Sequence, residues 1–374
     1  MSDRGSPAGP GRVRALPRVR GHDAVKAAGR DWERYASGHQ GDEDVRSYHQ
    51  LPLECDPPEH TALRGLLVPY FSRHTIEPLR AVVAADAAAL VAPLAAGRSV
   101  ELVEEVALPF VVRTICRILD LEEDAGRLTD FGLSVWGDHL GRRDGTAFHA
   151  YLDELTDRAD RGEAGRVMDA LAVAAPGGRP LGREERIGIA SLLLAAGRDT
   201  VIGLVAGIGW ALAARPDLLP ALHAAGPWTA DGTGAAIDAR DRFIEEVLRL
   251  TSDLVMERID RGPERLPLSV APHVALDFPS ANHDADAFPS PAEIRLDRPN
   301  PRGHLAFGIG AHACLGALPA RIEGRAALDA LLAAAPSGLV LDPAAGADAL
   351  IAGTHHVDGV AIPTGFRRVV VRGA

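Results

Sequence analysis

The residues with the clearest chemical potential lie in one short stretch, Phe307 to Gly316, which reads FGIGAHACLG. It places Cys314 directly before a helical pattern. A thiolate at a helix N-terminus is stabilised by the helix dipole and by free backbone N–H groups. Gly308 and Gly310 allow the backbone to fold tightly around the sulfur. The stretch therefore favours a thiolate that serves as ligand to a haem iron.

Three other interpretations of this stretch remain open. A lone cysteine is most often a buried structural residue. Gly308-x-Gly310 also begins a G-x-G-x-x-G nucleotide-binding pattern, although the sixth position is Ala313 and no βαβ unit follows. A zinc site needs further ligands, and Cys55 and Cys116 lie far away in sequence with no C-x-x-C pair. Haem ligation is favoured over all three.

A polar pair, Asp199-Thr200, interrupts the longest apolar helical pattern, residues 183–214. A helix of that length is roughly 48 Å long and crosses a whole domain. Gly197 and Thr200 are poor helix formers, and a threonine hydroxyl can divert a backbone hydrogen bond. On the residues alone, a tolerated irregularity in a buried helix is the better interpretation.

Two charged pairs have helical spacing. His60 and Arg64 stand at i and i+4, just after Pro57-Pro58 opens a helix. Glu246 and Arg249 stand at i and i+3. Taken alone, both pairs are typical of solvated helix surfaces, where an ion pair contributes little to stability.

Together, and in this order, these motifs resemble those of the soluble bacterial cytochromes P450, over about residues 23–374. F-G-x-G-x-H-x-C-x-G resembles the haem-binding loop of that family, and A-G-x-D-T resembles the segment of its long central helix that lies over the haem. The resemblance implies that Cys314 ligates the iron of haem b and that Asp199 and Thr200 are catalytic, relaying protons to dioxygen. The implied cofactor-binding residues are His60, Arg64, Ala196, Gly197, Arg258, Phe307, Gly308, Gly310, His312, Cys314 and Gly316.

Within that set, the resemblance gives four cationic residues to the haem propionates: His60, Arg64, Arg258 and His312. The resemblance also implies that Glu246 and Arg249 belong to a buried charge network with Arg298. Residues 281–289 resemble a structural motif of the family, with His283 in place of its usual arginine. Pro319 departs from the family pattern, and we expect it to kink or delay the helix after Cys314.

The elements that must position these residues are mainly helical. Helical periodicity covers residues 76–95, 101–120, 147–174, 183–214 and 238–250, while residues 267–278 and 360–372 are strand-like. We therefore expect a mainly α fold with small β-sheets, the cytochrome P450 fold, with a long central helix over a buried haem. Residues 1–20 are expected to be a flexible N-terminal arm, and residues 21–374 a single domain. Residues 225–237 are expected to form a loop.

Composition excludes several classes of function. The chain has 374 residues, 47% of them hydrophobic and 24% charged, with a formal net charge of −11. Broad affinity for nucleic acid is therefore not expected. The longest apolar run, residues 201–214, is too short to span a bilayer, and no secretory signal is evident. Three widely spaced cysteines suggest no disulfide framework. These features favour a cytoplasmic enzyme that binds no membrane.

The resemblance implies a monooxygenase that takes O2, an organic substrate, and electrons from a ferredoxin and its reductase. Arg64, Arg302, Arg321 and Arg325 are candidates for a basic docking patch. The substrate pocket is expected near residues 40–53, 188–200, 251–257 and 353–357, with His355-His356 in a loop. Three alternatives remain open: oxidative coupling or cyclisation, a peroxide-driven enzyme, and a non-catalytic haem- or substrate-binding relative.

Overall fold

The computed structural model describes residues 16–38, 48–133, 145–227 and 237–374. Thirteen helices of the described residues are named here. They are α1 (His22–Ala28), α2 (Glu59–Leu67), α3 (Arg73–Ile76), α4 (Arg80–Ala95), α5 (Leu108–Leu119), α6 (Ala125–Asp130), α7 (Thr146–Asp160), α8 (Gly165–Ala172), α9 (Arg183–Ala214), α10 (Leu219–Ala225), α11 (Ala239–Thr251), α12 (Phe278–Asn282) and α13 (Ala317–Ala334). A wide π-helical segment, Leu102–Ala107, leads into α5.

The described strands form two small sheets. The strands are β1 (Arg18–Val19), β2 (Tyr35–Ala36), β3 (Val100–Glu101), β4 (Val255–Asp260), β5 (His273–Asp277), β6 (Leu339–Leu341), β7 (Leu350–Val357) and β8 (Val360–Gly373). The first sheet has the order β1-β5-β4-β2, in which only the β1/β5 pair is parallel. In the second, β8 pairs antiparallel with β7 along its first part and with β3 and β6 near its end. The expected mainly helical fold with small sheets is confirmed.

Helix α9 is the centre of the hydrophobic core and packs against α5, α11, α13 and β8. The Glu185 carboxylate accepts a hydrogen bond from the N–H of Gly182 at 2.6 Å, which caps the start of the helix. Two acidic residues in its first turn favour the positive end of the helix dipole. The helix ends at Ala214, before Pro216, as the sequence predicts.

Two stretches, Glu59–Ala95 and Arg183–Ala214, are long and apolar enough to meet the criteria for a membrane span. The first is not one helix, because short 3-10 segments at Val68–Phe71 and Glu77–Leu79 divide it. The second is α9, and 61% of its apolar window is buried inside the protein. Packing within the fold therefore explains the apolar character of α9, and the first stretch is a series of shorter helices.

Several predicted boundaries are wrong. The last residues of the predicted N-terminal arm belong to the fold, since Arg18–Val19 pairs with β5 and Arg18 donates to Asp277 at 2.8 Å. The helix predicted over 101–120 begins as a strand and a π-helical segment, and the one over 147–174 is broken between α7 and α8. Within residues 267–278, only His273–Asp277 is a strand. Residues 228–236 of the predicted loop, and 39–47 of the predicted pocket, lie outside the described residues.

Candidate active site

The loop around Cys314 is closed by its own backbone. The N–H of Cys314 donates to the carbonyl of Phe307 at 2.8 Å, and Gly308 donates to Leu305 at 2.9 Å. Gly308 and Gly310 have φ angles of 63° and 73°, which L side chains rarely adopt. A side chain at Gly310 would also collide with the backbone of Gly29 and Arg30. The two glycines predicted from the sequence are therefore required by conformation and, at Gly310, also by space.

The environment of the Cys314 thiol combines burial with positive charge. Burial raises its pKa, while a hydrogen bond from the Gly316 N–H and the nearby Arg64 and Arg321 lower it. The side chain nevertheless has exposed surface, so it faces open space and not packed core. This is the setting of a cysteine whose charge is to be shared with a ligand.

Helix α13 starts at Ala317, immediately after this loop. Pro319 is its third residue and is buried. The first four N–H groups of a helix have no intrahelical acceptor, so a proline here removes no hydrogen bond. The expected kink or delay of the helix is wrong for this reason.

The long helix α9 has one face that is not packed. Between Ile187 and Gly209, the residues that are not buried are Leu192, Ala195, Ala196, Gly197, Asp199, Thr200 and Gly203. On a helical wheel, which places successive residues 100° apart, all of these residues except Gly197 fall within one arc. Above Gly203, no atom lies within 4 Å of the place where a Cβ would stand. We call this arc the open face of α9. It contains both residues of the Asp199-Thr200 pair.

The two polar residues on the open face differ in their surroundings. Burial raises the pKa of Asp199 to about 6, and neighbouring Arg198 only partly opposes this. The Thr200 hydroxyl donates to the Ala196 carbonyl at 3.1 Å. Arg198 points elsewhere and donates to the carbonyls of Leu128 and Gly132. Helix α9 is continuous through this region.

A cluster of cationic side chains lies beside the cysteine loop. The rings of His60 and His312 are 4.4 Å apart between centroids. Arg64 donates to the carbonyl of Ala313 at 2.6 Å. Arg258 is only 5% exposed, and the one hydrogen bond described for its guanidinium goes to the carbonyl of Glu257. We call His60, Arg64, Arg258 and His312 the cationic cluster.

The cationic cluster has less negative charge than its positive groups require. Both ring nitrogens of His60 are buried without a partner among the described residues, and the residue is 2% exposed. Burial, His312 and Arg64 together lower its pKa to about 4. Burial also lowers the pKa of Arg258 to about 10, and only Asp56 opposes this. These orphaned donors fit an anionic ligand such as the propionates of a haem.

Asp56 is a site residue that the sequence analysis missed. Its carboxylate accepts from the N–H of Ser37 at 2.8 Å and contacts the ring of His312 at 3.4 Å. Its position directly before Pro57-Pro58 was visible in the sequence, but its partners come from distant segments. Asp56 orients His312 and supplies one negative charge to the cationic cluster.

Glu246, Arg249 and Arg298 form the buried network that was predicted. Arg249 donates through two nitrogens to the Glu246 carboxylate at 2.9 and 3.0 Å, and Arg298 Nε donates to both oxygens at 2.8 Å. All three side chains are at most 3% exposed. Hydrogen bonds from both arginines lower the pKa of Glu246 against the opposing effect of burial.

The predicted basic docking patch is only partly present. Arg325 is buried and pairs with Asp238, Asp241 and Asp329, so its place in the patch is wrong. Arg302 and Arg321 both pair with Glu245, at 2.9 and 2.6 Å.

Arg321 also lies over the ring of Phe307, 4.5 Å from its centroid. His304 is a further partner of the Glu245 carboxylate. Although burial acts to raise it, the pKa of Glu245 is lowered to about 2 by hydrogen bonds from His304 and Arg321.

His355 does not lie in a loop, as was expected, but on strand β7 together with His356. Its ring stacks on that of His283, with centroids 5.0 Å apart. His283 Nδ1 donates to the carbonyl of Pro279 at 2.8 Å, and burial lowers the pKa of His283 to about 4. This pair joins β7 to the segment after α12.

The fold and sequence both match a class of haem-thiolate oxygenases. The chain is 34% identical over 307 residues to the cytochrome P450 monooxygenase PikC of Streptomyces venezuelae, covering 79% of this chain and 70% of that protein. It is 30% identical to the vitamin D(3) 25-hydroxylase of Pseudonocardia autotrophica, covering 86% and 79% of the two chains. A solved carbohydrate-active P450 superposes with a TM-score of 0.78 at 26% identity, covering 95% and 91%. No protein-family model matches the chain.

The chain therefore belongs to the cytochrome P450 family. It is an oxidoreductase that incorporates oxygen, and its cofactor is haem with thiolate ligation. The cluster of orphaned donors, the cysteine loop and the open face of α9 are consistent with that cofactor.

Proposed function

We propose that this monooxygenase inserts one oxygen atom from O2 into a small or medium-sized organic substrate of natural-product metabolism. The observation that carries the proposal is that Cys314 and Asp199 are separate titratable groups which combine exposed surface with burial-raised pKa values. Each is therefore surrounded by protein and still accessible to a ligand. One similar structure is a mutant P450 EryK with erythromycin B, and another is a hydroxylase of leinamycin biosynthesis. Both are 26% identical to this chain.

The residues of the site have separate roles. Cys314 holds the iron, and His60, Arg64, Arg258 and His312 bind the propionates. When bound, the haem supplies oxygen activation and hydrogen abstraction. Asp199 holds a proton and delivers it toward the open face of α9, and the Thr200 hydroxyl passes it on. Apolar residues along α9 limit access of water to this space.

We propose that electrons come from a ferredoxin and its reductase in the cytoplasm. Arg302 and Arg321 support this, because together with the single Glu245 carboxylate that they share they leave one net positive charge, and Arg321 lies over Phe307 of the cysteine loop. Arg302 remains half-exposed in this arrangement. A cationic surface on a chain of net charge −11 suits an acidic partner.

A reduced CO difference spectrum of the purified holoprotein tests the haem thiolate, and turnover with a ferredoxin pair tests the chemistry. We expect the thiolate-type band, and a product that gains one oxygen atom from ¹⁸O2. A product that loses two hydrogens and gains no label would instead support oxidative coupling. Substrate binding with no consumption of reduced cofactor would support a non-catalytic relative.

A further inference from the structure

Asp253 lies between the end of α11 and the start of β4, five residues before Arg258 of the cationic cluster. Its side chain has exposed surface, yet burial raises its pKa. Asp199 and Cys314 show the same combination. Protein atoms therefore surround the Asp253 carboxylate closely enough to disfavour its charge, although part of its surface stays accessible.

Neighbouring contacts locate Asp253 relative to the open face of α9. Above Gly203 the space is empty, but one turn further the Cβ position of Gly207 is closed off by Thr251 Oγ1 at 3.1 Å and Phe366 at 3.3 Å. Asp253 follows Thr251 by two residues. Its Oδ2 lies 2.9 Å from the Cβ position of Gly365, the residue before Phe366. Asp253 therefore stands at the end of the open face, beyond Asp199 and Thr200.

Glycine at position 365 leaves room for this carboxylate. Any larger residue there would meet Oδ2, and the φ angle of 55° also disfavours a side chain. The residues directly after Asp253 are apolar: Leu254, Val255 and Met256. A single carboxylate is thus held at the end of a largely apolar wall.

Among the described residues, no arginine, lysine or histidine forms an ion pair or hydrogen bond with the Asp253 side chain. The only hydrogen bond noted for it involves its own backbone. A partly desolvated carboxylate without a counterion is destabilised, and it gains most from a ligand that carries positive charge.

We propose that Asp253 is a specificity-determining residue that binds a cationic group, such as a protonated amine, on the substrate. This inference rests on the proposed function, because it assigns the substrate class of the same site. Ligand pockets commonly combine apolar walls with one charged residue that fixes orientation.

The test is calorimetric titration of the holoprotein with two probes of equal shape. One is 4-phenylbutyltrimethylammonium, which has no lone pair to ligate iron. The other is its uncharged carbon analogue, (5,5-dimethylhexyl)benzene, delivered in a low fixed concentration of co-solvent. We expect the wild-type protein to bind the cation about tenfold more tightly than the carbon analogue. Equal affinity for the two probes would overturn the proposal without any variant.

Asp253→Asn then isolates the charge, since it preserves shape. We expect the cation to lose about tenfold in affinity and the carbon analogue to be unaffected. Asp348→Asn, at an exposed site, removes the same charge from the protein and should change neither affinity. An Asp253→Asn protein that binds the cation as wild type does, or loses both probes equally, would contradict the assignment.

A reduced CO spectrum of each sample accompanies the titrations. Failure of the proposed function would appear as an absent thiolate band or absent turnover in the wild-type protein. Failure of the present inference would appear as unchanged probe selectivity in a protein whose thiolate band is intact.

Discussion

Two groups of buried charged side chains differ in how completely they are paired. In the network of Glu246, Arg249 and Arg298, the carboxylate receives hydrogen bonds from both arginines, and the remaining arginine N–H groups reach backbone carbonyls. In the cationic cluster, the ring nitrogens of His60 have no hydrogen-bond partner among the described residues, and the one hydrogen bond described for the Arg258 guanidinium goes to the carbonyl of Glu257.

This difference in pairing distinguishes two roles. The paired network is part of the fold, whereas the unpaired groups of the cationic cluster are available to bind a ligand. A buried charge without a partner costs free energy, and it is retained only where something else compensates. The paired network is satisfied within the folded chain and needs no ligand. We propose that the unpaired groups face the haem propionates, whose negative charge would lower their cost.

The largest expected effect is that of replacing Cys314, the proposed iron ligand. Cys314→Ser should abolish the thiolate-type ferrous–CO band and all turnover, because an alcohol does not replace the thiolate ligand. Cys55→Ser is the matched control. That thiol is half-buried, and its pKa is raised to about 12, so it should keep the band. A persistent band in Cys314→Ser would remove this residue from the site.

Asp199→Asn should lower kcat by about 10² to 10⁴, the usual contribution of a positioned proton donor. The acid form delivers the proton, and the pKa of Asp199 is raised to about 6. Wild-type kcat should therefore fall as pH rises through about 6, and this dependence should vanish in the variant. Glu184→Gln, at the exposed start of α9, should show the wild-type profile. An unchanged pH profile in Asp199→Asn would contradict the relay.

Glu246→Gln should lower the free energy of unfolding by about 3–5 kcal/mol, since it leaves two buried arginines without their counterion. Urea unfolding measures this, with exposed Glu264→Gln as control. Glu246→Ala should not hold haem at all. A soluble Glu246→Ala protein with an unchanged ferrous–CO band would refute the fold-holding role.

Two matched arginine variants test the difference between the paired network and the cationic cluster. In the haem-free protein, Arg249→Met should destabilise by about 3–5 kcal/mol, while Arg258→Met should leave stability unchanged or raised, because its charge is uncompensated there. In the holoprotein, Arg258→Met should speed transfer of haem to apomyoglobin. Equal destabilisation of the two haem-free variants would show that the two groups do not differ.

The smallest effect is expected at the surface. Arg302→Gln should raise KM for ferredoxin about two- to threefold and reduce its dependence on salt, as a half-exposed charge contributes little. Arg372→Gln, exposed on strand β8, is the control with the same charge change. Identical KM values for the two variants would exclude Arg302 from docking.

Local signals were enough to predict the cysteine loop and the long helix. The buried Glu246 network was predicted only through the family resemblance, because the i, i+3 pair alone indicates a solvated helix surface. The loop depends on glycines and a cysteine within ten residues, and α9 on a sustained apolar pattern. Contacts between distant segments were not predictable. Glu101, where periodicity predicts the start of a helix, lies instead in strand β3 and caps the π-helical segment that follows, because its carboxylate accepts from the N–H groups of Val103, Glu104 and the remote Val369.

Arg325 illustrates the same limit. Its charge and position after the cysteine loop indicated a surface residue, but three carboxylates, two of them from the start of α11 and its N-cap, surround it. Within its own helix, the sequence indicates only Asp329, one turn further on, as a partner. The other two partners come from a distant segment. Asp253 was likewise hidden, since only the tertiary fold brings it beside Gly365.

The close approach of Gly310 to the backbone of Gly29 has a consequence for biosynthesis. The segment that supports the cysteine loop is made first, and the loop itself is made nearly a full chain length later. During translation, α1 and strand β1 must wait with β5 and the loop still missing. Contacts so distant in sequence form late in folding. Cofactor capture is therefore a step that follows synthesis of most of the chain, and α1 and β1 gain these contacts late.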